Sequence, residues 1–254
     1  MARWNLRRAA ELADRGRPGS PEADEAQNWR RAADSLVEGY DLTSGLYEQF
    51  AGYFDLEPLL AKDLGPVPVA ADLAHGRARL AGSQLIKQAD VLMAHHLVPE
   101  EVRPGSLAAN LDYYLARTVH GSSLSPSVHA ALLARAGRAD EALDMLRLAT
   151  AVDMEDLTET TAGGLHLANL GGIWQAIVAG FAGLRPPGPS DTALQADPVL
   201  PEGWDELRVA LCWRGRPLRL ICRSDAVYVG CERSLRVVVH GTPARITPPG
   251  RWVS

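Results

Sequence analysis

Three short segments carry polar side chains that a plain helical bundle does not need. The first is Ser83-Gln-Leu-Ile-Lys-Gln-Ala-Asp90, where Lys87 and Gln88 fall at the edge of the apolar stripe. Lys87 and Lys62 are the two lysines of a chain with 26 basic residues. An ammonium is a compact point donor, and the planar fork of Arg cannot replace it in a tight pocket. The competing reading is a solvated lysine on a helix.

The second segment, Tyr113 to Pro126, places Arg117, Thr118, His120, Gly121, Ser122 and Ser123 just before a helix start. Free amides, hydroxyls and the helix dipole there favour an anion such as phosphate. A capping loop is the alternative. The third, Thr158 to His166, is a Thr- and Gly-rich loop entering another helix and could cradle an anion in the same way. Its histidine could equally be a satisfied core group. Together the segments outline a polar pocket among helices without fixing a reaction.

The elements around them are legible from periodicity. Apolar residues recur at helical spacing through the first 185 or so residues. Helices are expected at 2–14 and 25–38, around Trp4 and Trp29, and at 83–97, 106–116, 125–137, 139–152 and 164–183. Ser125-Pro126 reads as an N-cap followed by a first-turn proline. The pair 125–137 and 139–152, joined at Gly137, makes a helical hairpin without a fixed repeat along the chain. The last helix is apolar nearly all round, so a central position is expected. Residues 40–65 are aromatic and turn-rich.

Arg-Pro-Pro-Gly-Pro then breaks the pattern, because proline and glycine sustain neither regular element. Beyond it residues alternate. Strands are expected at 207–213, 218–222, 227–231 and 235–239, forming one small antiparallel sheet. The organisation is therefore 1–185 helical, 186–190 linker and 191–254 β.

Composition bounds the function classes. A net charge of −5 gives no footprint for nucleic acid or an anionic membrane. The start lacks a signal peptide's apolar core, and polar residues with two glycine pairs interrupt the longest apolar run. Three cysteines without a CxxC pair read as free thiols in a reducing, cytoplasmic compartment, and no metal site is expected.

The same segments carry a family resemblance. Met-Ala-Arg-Trp-Asn-Leu-Arg at the start, Glu48 to Glu57, Gln84 to Val91, Arg117 to Pro126 and Thr160 to Arg185 resemble, in order, the C-terminal portion of glycoside hydrolase family 65. That family contains inverting phosphorylases of maltose, trehalose, kojibiose and nigerose, and some hydrolases. The resemblance implies a mainly α fold: the second part of an (α/α)6 barrel followed by a small antiparallel β domain. It implies that Lys87 and Gln88 hold sugar hydroxyls, and that Ser122, Ser123, Gly164 and His166 bind phosphate. The partners would be a disaccharide and inorganic phosphate as co-substrate, with no cofactor, and the full-length enzyme would be a homodimer. The family usually has Asp where this chain has Gly121, and Pro where it has Ala116.

The family's general acid is a Glu in a Gly-Pro-Asp-Glu-Tyr-His motif, which does not occur in these 254 residues. The resemblance places it upstream of Met1, which then corresponds to an internal methionine of a longer chain. The 254 residues alone are therefore expected to be inactive and prone to self-association. An inverting hydrolase is the alternative within the enzyme class, with Glu155 or Glu159 near the third segment as candidate bases. A non-catalytic carbohydrate-binding or scaffold protein is the alternative outside it.

Overall fold

The computed structural model describes residues 1–15, 21–66, 68, 75–88, 90–187 and 193–254, with 21–23 by backbone alone. Helices α1 (Ala2–Asp14) and α2 (Pro21–Ser35) form an antiparallel pair. Their contact is made by small residues, since Ala10, Ala26 and Ala33 are fully buried. Arg3 fixes the open end by donating to the carbonyls of Ala33 and Leu36 and to Glu38.

The turn-rich stretch that follows folds into a two-stranded ladder, β1 (Tyr40–Asp41) with β2 (Leu46–Tyr47), and short 3-10 turns at Tyr53–Asp55 and Ala61–Leu64. Its aromatic residues, which showed no period, pack as a cluster. Tyr40 meets Tyr47, and Tyr53 meets Phe54 and Tyr114. A short helix α3 (Arg77–Ala81) precedes the first of the three polar segments.

The core of the helical part is α6 (Ser125–Arg135), buried from Ser125 to Ala134. It is sheathed by α4 (Asp90–Leu97), α5 (Leu107–Leu115), α7 (Ala139–Met154) and α8 (Leu167–Gln175), which runs on as a π-helical turn, Ala176–Phe181. Leu132 and Leu133 are fully buried, and burial of each contributes roughly 1.5–3 kcal/mol. The π turn lies close against α6 because residue 180 is glycine. A Cβ there would stand 2.9 Å from the Ala131 Cα.

Two helix expectations are corrected. Residues 83–88 are not helical: Ser83 and Ile86 form isolated bridges with bends around them, and α4 starts only at Asp90. Ile86 forms a parallel bridge with Thr118, with the Ile86 N–H donating to Arg117 O (2.9 Å) and Val119 N–H donating to Ile86 O (3.0 Å). Backbone pairing with the second polar segment outweighs local helix propensity here. The last helix begins at Leu167, not 164, and only its π turn is central. Leu167, Leu170 and Trp174 lie three and four residues apart on one exposed face.

Gly183, at φ +59°, turns the chain out of the π segment into the β part, and a Cβ there would clash with the Asp197 carbonyl. Of the linker expected at 186–190, residues 188–190 lie outside the described residues. The β part is two four-stranded sheets sharing one core, not one sheet. The first has the order β10 (Gly250–Val253), β7 (Val227–Cys231), β6 (Arg216–Cys222), β5 (Leu207–Trp213), all antiparallel. The second is β3 (Leu184–Arg185), β4 (Leu194–Ala196), β8 (Leu235–Val239), β9 (Thr242–Ile246), with β4 and β8 parallel. Residues 235–239, expected beside 227–231, thus belong to the other sheet. Val209, Leu220 and Val229 of the first sheet share a core with Leu194, Val237 and Ile246 of the second. Val178 and Ala182 of the π segment join that core, so the helical and β parts are continuous. The three cysteines are free, on β5, β6 and β7. Among the described residues no helix is long and apolar enough to cross a membrane.

Candidate functional site

The bridge between Ile86 and Thr118 brings the first and second polar segments side by side. Gln84 locks them together. It is buried, its amide donates to the carbonyls of Phe54 (3.0 Å) and Leu56 (3.3 Å), and its Oε1 accepts from the Tyr113 hydroxyl (2.7 Å) and Arg117 Nε (3.1 Å). The Arg117 guanidinium lies 3.7 Å from the Tyr113 ring centroid. Lys87 therefore leaves a pinned backbone rather than a helix surface.

A cleft of 470 Å³ opens where these segments meet the third. Lys87, His120, Gly121 and Ser123 line one side, and Thr158, Glu159 and Thr160 the other. Gln88 is not in it: its exposed side chain borders a small hollow beside Asp90, Leu124 and Ser125. Ser122 does not line the cleft, and its Oγ accepts from Leu124 N–H at 3.4 Å. Gly164 is exposed at φ +127°, just after the 3-10 turn Thr161–Gly163. His166 does not line the cleft but is tied to it, with Nε2 3.4 Å from Thr160 Oγ1. Thr160 Oγ1 in turn lies 2.7 Å from Thr158 Oγ1. Of the two candidate bases, Glu159 borders the cleft, while Glu155 does not and is exposed.

Two features escaped the sequence reading. The first is Asp153, near the end of α7, whose carboxylate holds His166 through both backbone and ring. Thirteen residues separate them, and no spacing rule links the two. The second is a histidine pair beneath the cleft. His120, at φ +52°, packs edge-on against His129 with ring centroids 4.7 Å apart. His129 Nδ1 donates to Ser125 O (2.8 Å), and His120 Nδ1 lies 3.0 Å from Ser125 Oγ. Ser125 is thus the first residue of α6, engaged by this pair, and its side chain does not cap the helix. Burial pulls the His129 pKa down to about 4. Burial, with the neighbouring His129, pulls His120 down to about 3. Both imidazoles are neutral at pH 7, so the floor of the cleft offers dipoles rather than charge. His129 sits in an apolar helical run, where it reads as an ordinary core residue.

Among the described residues no group of three or more His, Cys, Asp or Glu is placed to hold a metal ion. The cleft offers one ammonium, several hydroxyls and a carboxylate, a set suited to hydrogen-bonding a polar ligand and neutralising an anion.

Residues 1–175 match the model of the glycosyl hydrolase family 65 central catalytic domain, and residues 189–246 that of the family's C-terminal domain. A kojibiose phosphorylase of Halothermothrix orenii is 36% identical over 81% of this chain and 26% of its own length. An uncharacterised glycosyl hydrolase of Mycobacterium tuberculosis is 37% identical over 85% of this chain and 27% of its own length. An α,α-trehalose phosphorylase of Geobacillus stearothermophilus is 29% identical over 97% and 34%. A solved putative kojibiose phosphorylase from the human microbiome superposes with a TM-score of 0.80 at 27% identity, covering 91% of this chain and 30% of that one. The chain spans about a quarter to a third of the length of these relatives. With both matches in sequence order and 175 residues in the catalytic-domain match alone, the chain belongs to glycosyl hydrolase family 65.

Proposed function

We propose that this chain supplies the glucosyl- and phosphate-binding part of an inverting disaccharide phosphorylase. The observation that carries the reading is the convergence of Lys87, Ser123 and the Thr158–Thr160 loop on one cleft. In this reading the helices form the second part of an (α/α)6 barrel. Lys87, the residue of the expected Lys87–Gln88 pair that lines the cleft, holds hydroxyls of the non-reducing glucose. Ser122, Ser123, Gly164 and His166 surround phosphate, with Asp153 fixing the His166 ring.

The whole enzyme would convert an α-linked diglucoside and inorganic phosphate to β-glucose 1-phosphate and free glucose. Phosphate oxygen attacks the anomeric carbon from the face opposite the leaving group, so the configuration inverts. The glycosidic C–O bond breaks, and a Glu outside these 254 residues protonates the departing oxygen. Phosphate is already nucleophilic, so no second carboxylate is needed to activate it. Loss of a general acid alone costs typically about 10²–10⁴-fold in rate, and an incompletely held substrate costs more.

Calorimetry on the purified chain tests the binding half of this reading. Phosphate and glucose are each expected to give saturable heat, and Lys87→Arg is expected to weaken glucose while leaving phosphate unchanged. No heat with either ligand, from a folded sample, overturns the reading. Incubation with kojibiose, nigerose, trehalose or maltose plus phosphate is expected to release no glucose 1-phosphate. Phosphate-dependent release would show that these residues contain their own acid. A second reading, an inverting hydrolase, has Glu159 at the cleft edge in its favour, since such enzymes need a base that activates water. Turnover by the full-length enzyme without phosphate would select it.

A further inference from the structure

The β part contains a second cleft, of 820 Å³, which shares no lining residue with the first. Its floor is apolar and its rim is arginine. Arg214 and Arg216 come from the β5–β6 hairpin, Arg233 from the β7–β8 turn and Arg245 from β9. No carboxylate lines it among the described residues. Of the acids in residues 193–254, Asp197 pairs with Arg185, and Glu206 with Arg208 and Arg223. Residues 193–254 hold nine Arg against six Asp and Glu, a balance of +3, which leaves −8 for residues 1–192. The positive charge is therefore concentrated on this module of an acidic chain.

One backbone detail points to use rather than accident. Arg214 and Gly215 form the two-residue hairpin turn, with φ of +51° and +74°. Positive φ at both central positions defines a turn that ordinarily takes Asn-Gly or Asp-Gly, and arginine there is strained. The guanidinium is held 5.4 Å from the Trp213 ring centroid, beside the cleft. A strained residue, stacked in place on the rim of a cation-lined hollow, is the arrangement expected of a ligand-holding group. Guanidinium forks match phosphate oxygens in geometry and charge. The volume lies in the range of small-molecule sites, and the arginines converge from three segments instead of forming a stripe along the surface.

We propose that this cleft binds a compact small molecule carrying two or more phosphate groups. The bound anion offsets the mutual repulsion of Arg214, Arg216, Arg233 and Arg245. The site is separate from the cleft at Lys87 and Ser123, and its existence does not depend on the phosphorylase reading.

Calorimetry on the 254-residue chain with sodium tripolyphosphate tests it. One saturable site is expected, tighter than for inorganic phosphate. Arg216→Gln with Arg245→Gln is expected to weaken it by roughly tenfold or more, since hydrogen bonds to charged groups are the strong ones. Arg214→Asn is expected to weaken binding and yet raise Tm, because Asn relieves the turn. A merely structural arginine would lower Tm. Arg219→Gln, at an exposed residue between inward-facing Leu218 and Leu220, is expected to leave binding unchanged. The proposal is overturned by absence of saturable binding, by an equal loss in Arg219→Gln, or by tighter binding of a twelve-nucleotide single-stranded DNA than of tripolyphosphate.

Discussion

His166 Nδ1 lies 2.7 Å from Asp153 Oδ1, and the backbone N–H of the same histidine donates to both oxygens of that carboxylate, at 3.1 and 3.3 Å. One largely buried acid on α7 therefore sets where the Thr158–His166 loop ends and which way its imidazole faces. With Nδ1–H given to the carboxylate, Nε2 is the nitrogen directed toward Thr160 and the cleft.

Asp153→Ala is expected to lower stability by about 1.5–3 kcal/mol, the usual cost of losing hydrogen bonds to a charged group. It should also weaken phosphate binding. Asp153→Asn keeps an acceptor for the backbone N–H, so it should retain most of the stability while still weakening phosphate in the calorimetry. Urea titration and calorimetry read the two effects separately. A parent-like urea midpoint in Asp153→Ala would show that the loop is held by something else.

Gly180→Ala should destabilise. In a helix interior this change ordinarily stabilises by about 1 kcal/mol. Here the new methyl meets the Ala131 backbone, with Cα at 2.9 Å and the carbonyl oxygen at 3.3 Å. Backbone cannot rotate away, so overpacking of about 1–3 kcal/mol is expected. A raised Tm in this variant would mean that the π turn and α6 are further apart than described.

Stability should fall as pH drops below about 6.5. His120 and His129, with folded pKa values of about 3 and about 4, stay neutral in the native state but bind protons when unfolded. Burial also lowers His95 and His96. The stabilisation from each is complete above pH 6.5 and is lost progressively down to its folded pKa. From pH 6.5 to 5 the loss is at most about 2 kcal/mol per histidine. Denaturant unfolding at a series of pH values measures it. His120→Asn, which also suits the positive φ, should make the slope shallower, and an unchanged slope would contradict the assignment.

Leu167, Leu170 and Trp174 are 76%, 41% and 55% exposed on one face of α8, with Leu165 beside them at 57%. A contiguous apolar face of this kind drives association. Light scattering should show concentration-dependent self-association, and Leu167→Glu with Trp174→Glu should reduce it. A single monomeric species at high concentration in the parent chain would contradict this.

The sequence by itself determined the helices expected at 2–14, 106–116, 125–137 and 139–152, whose ends fall within two residues of Ala2–Asp14, Leu107–Leu115, Ser125–Arg135 and Ala139–Met154, because apolar periodicity and glycine and proline punctuation are local signals. It determined the change of architecture near Gly183–Pro187 for the same reason, and the family from long runs in order. Only the tertiary structure decided that 83–88 is not helical, since the bridge partner of Ile86 is thirty-two residues away at Thr118. It likewise sent 235–239 to a second sheet, through a parallel pairing with 194–196 that hairpin logic cannot anticipate. At the site, the sequence named Lys87, Ser122, Ser123 and His166. That Lys87 and Ser123 share a cleft, that Gln88 faces elsewhere, and that Asp153 and His129 hold the walls are consequences of long-range packing. Side chains distant in sequence meet only where burial and hydrogen-bond satisfaction bring their elements together.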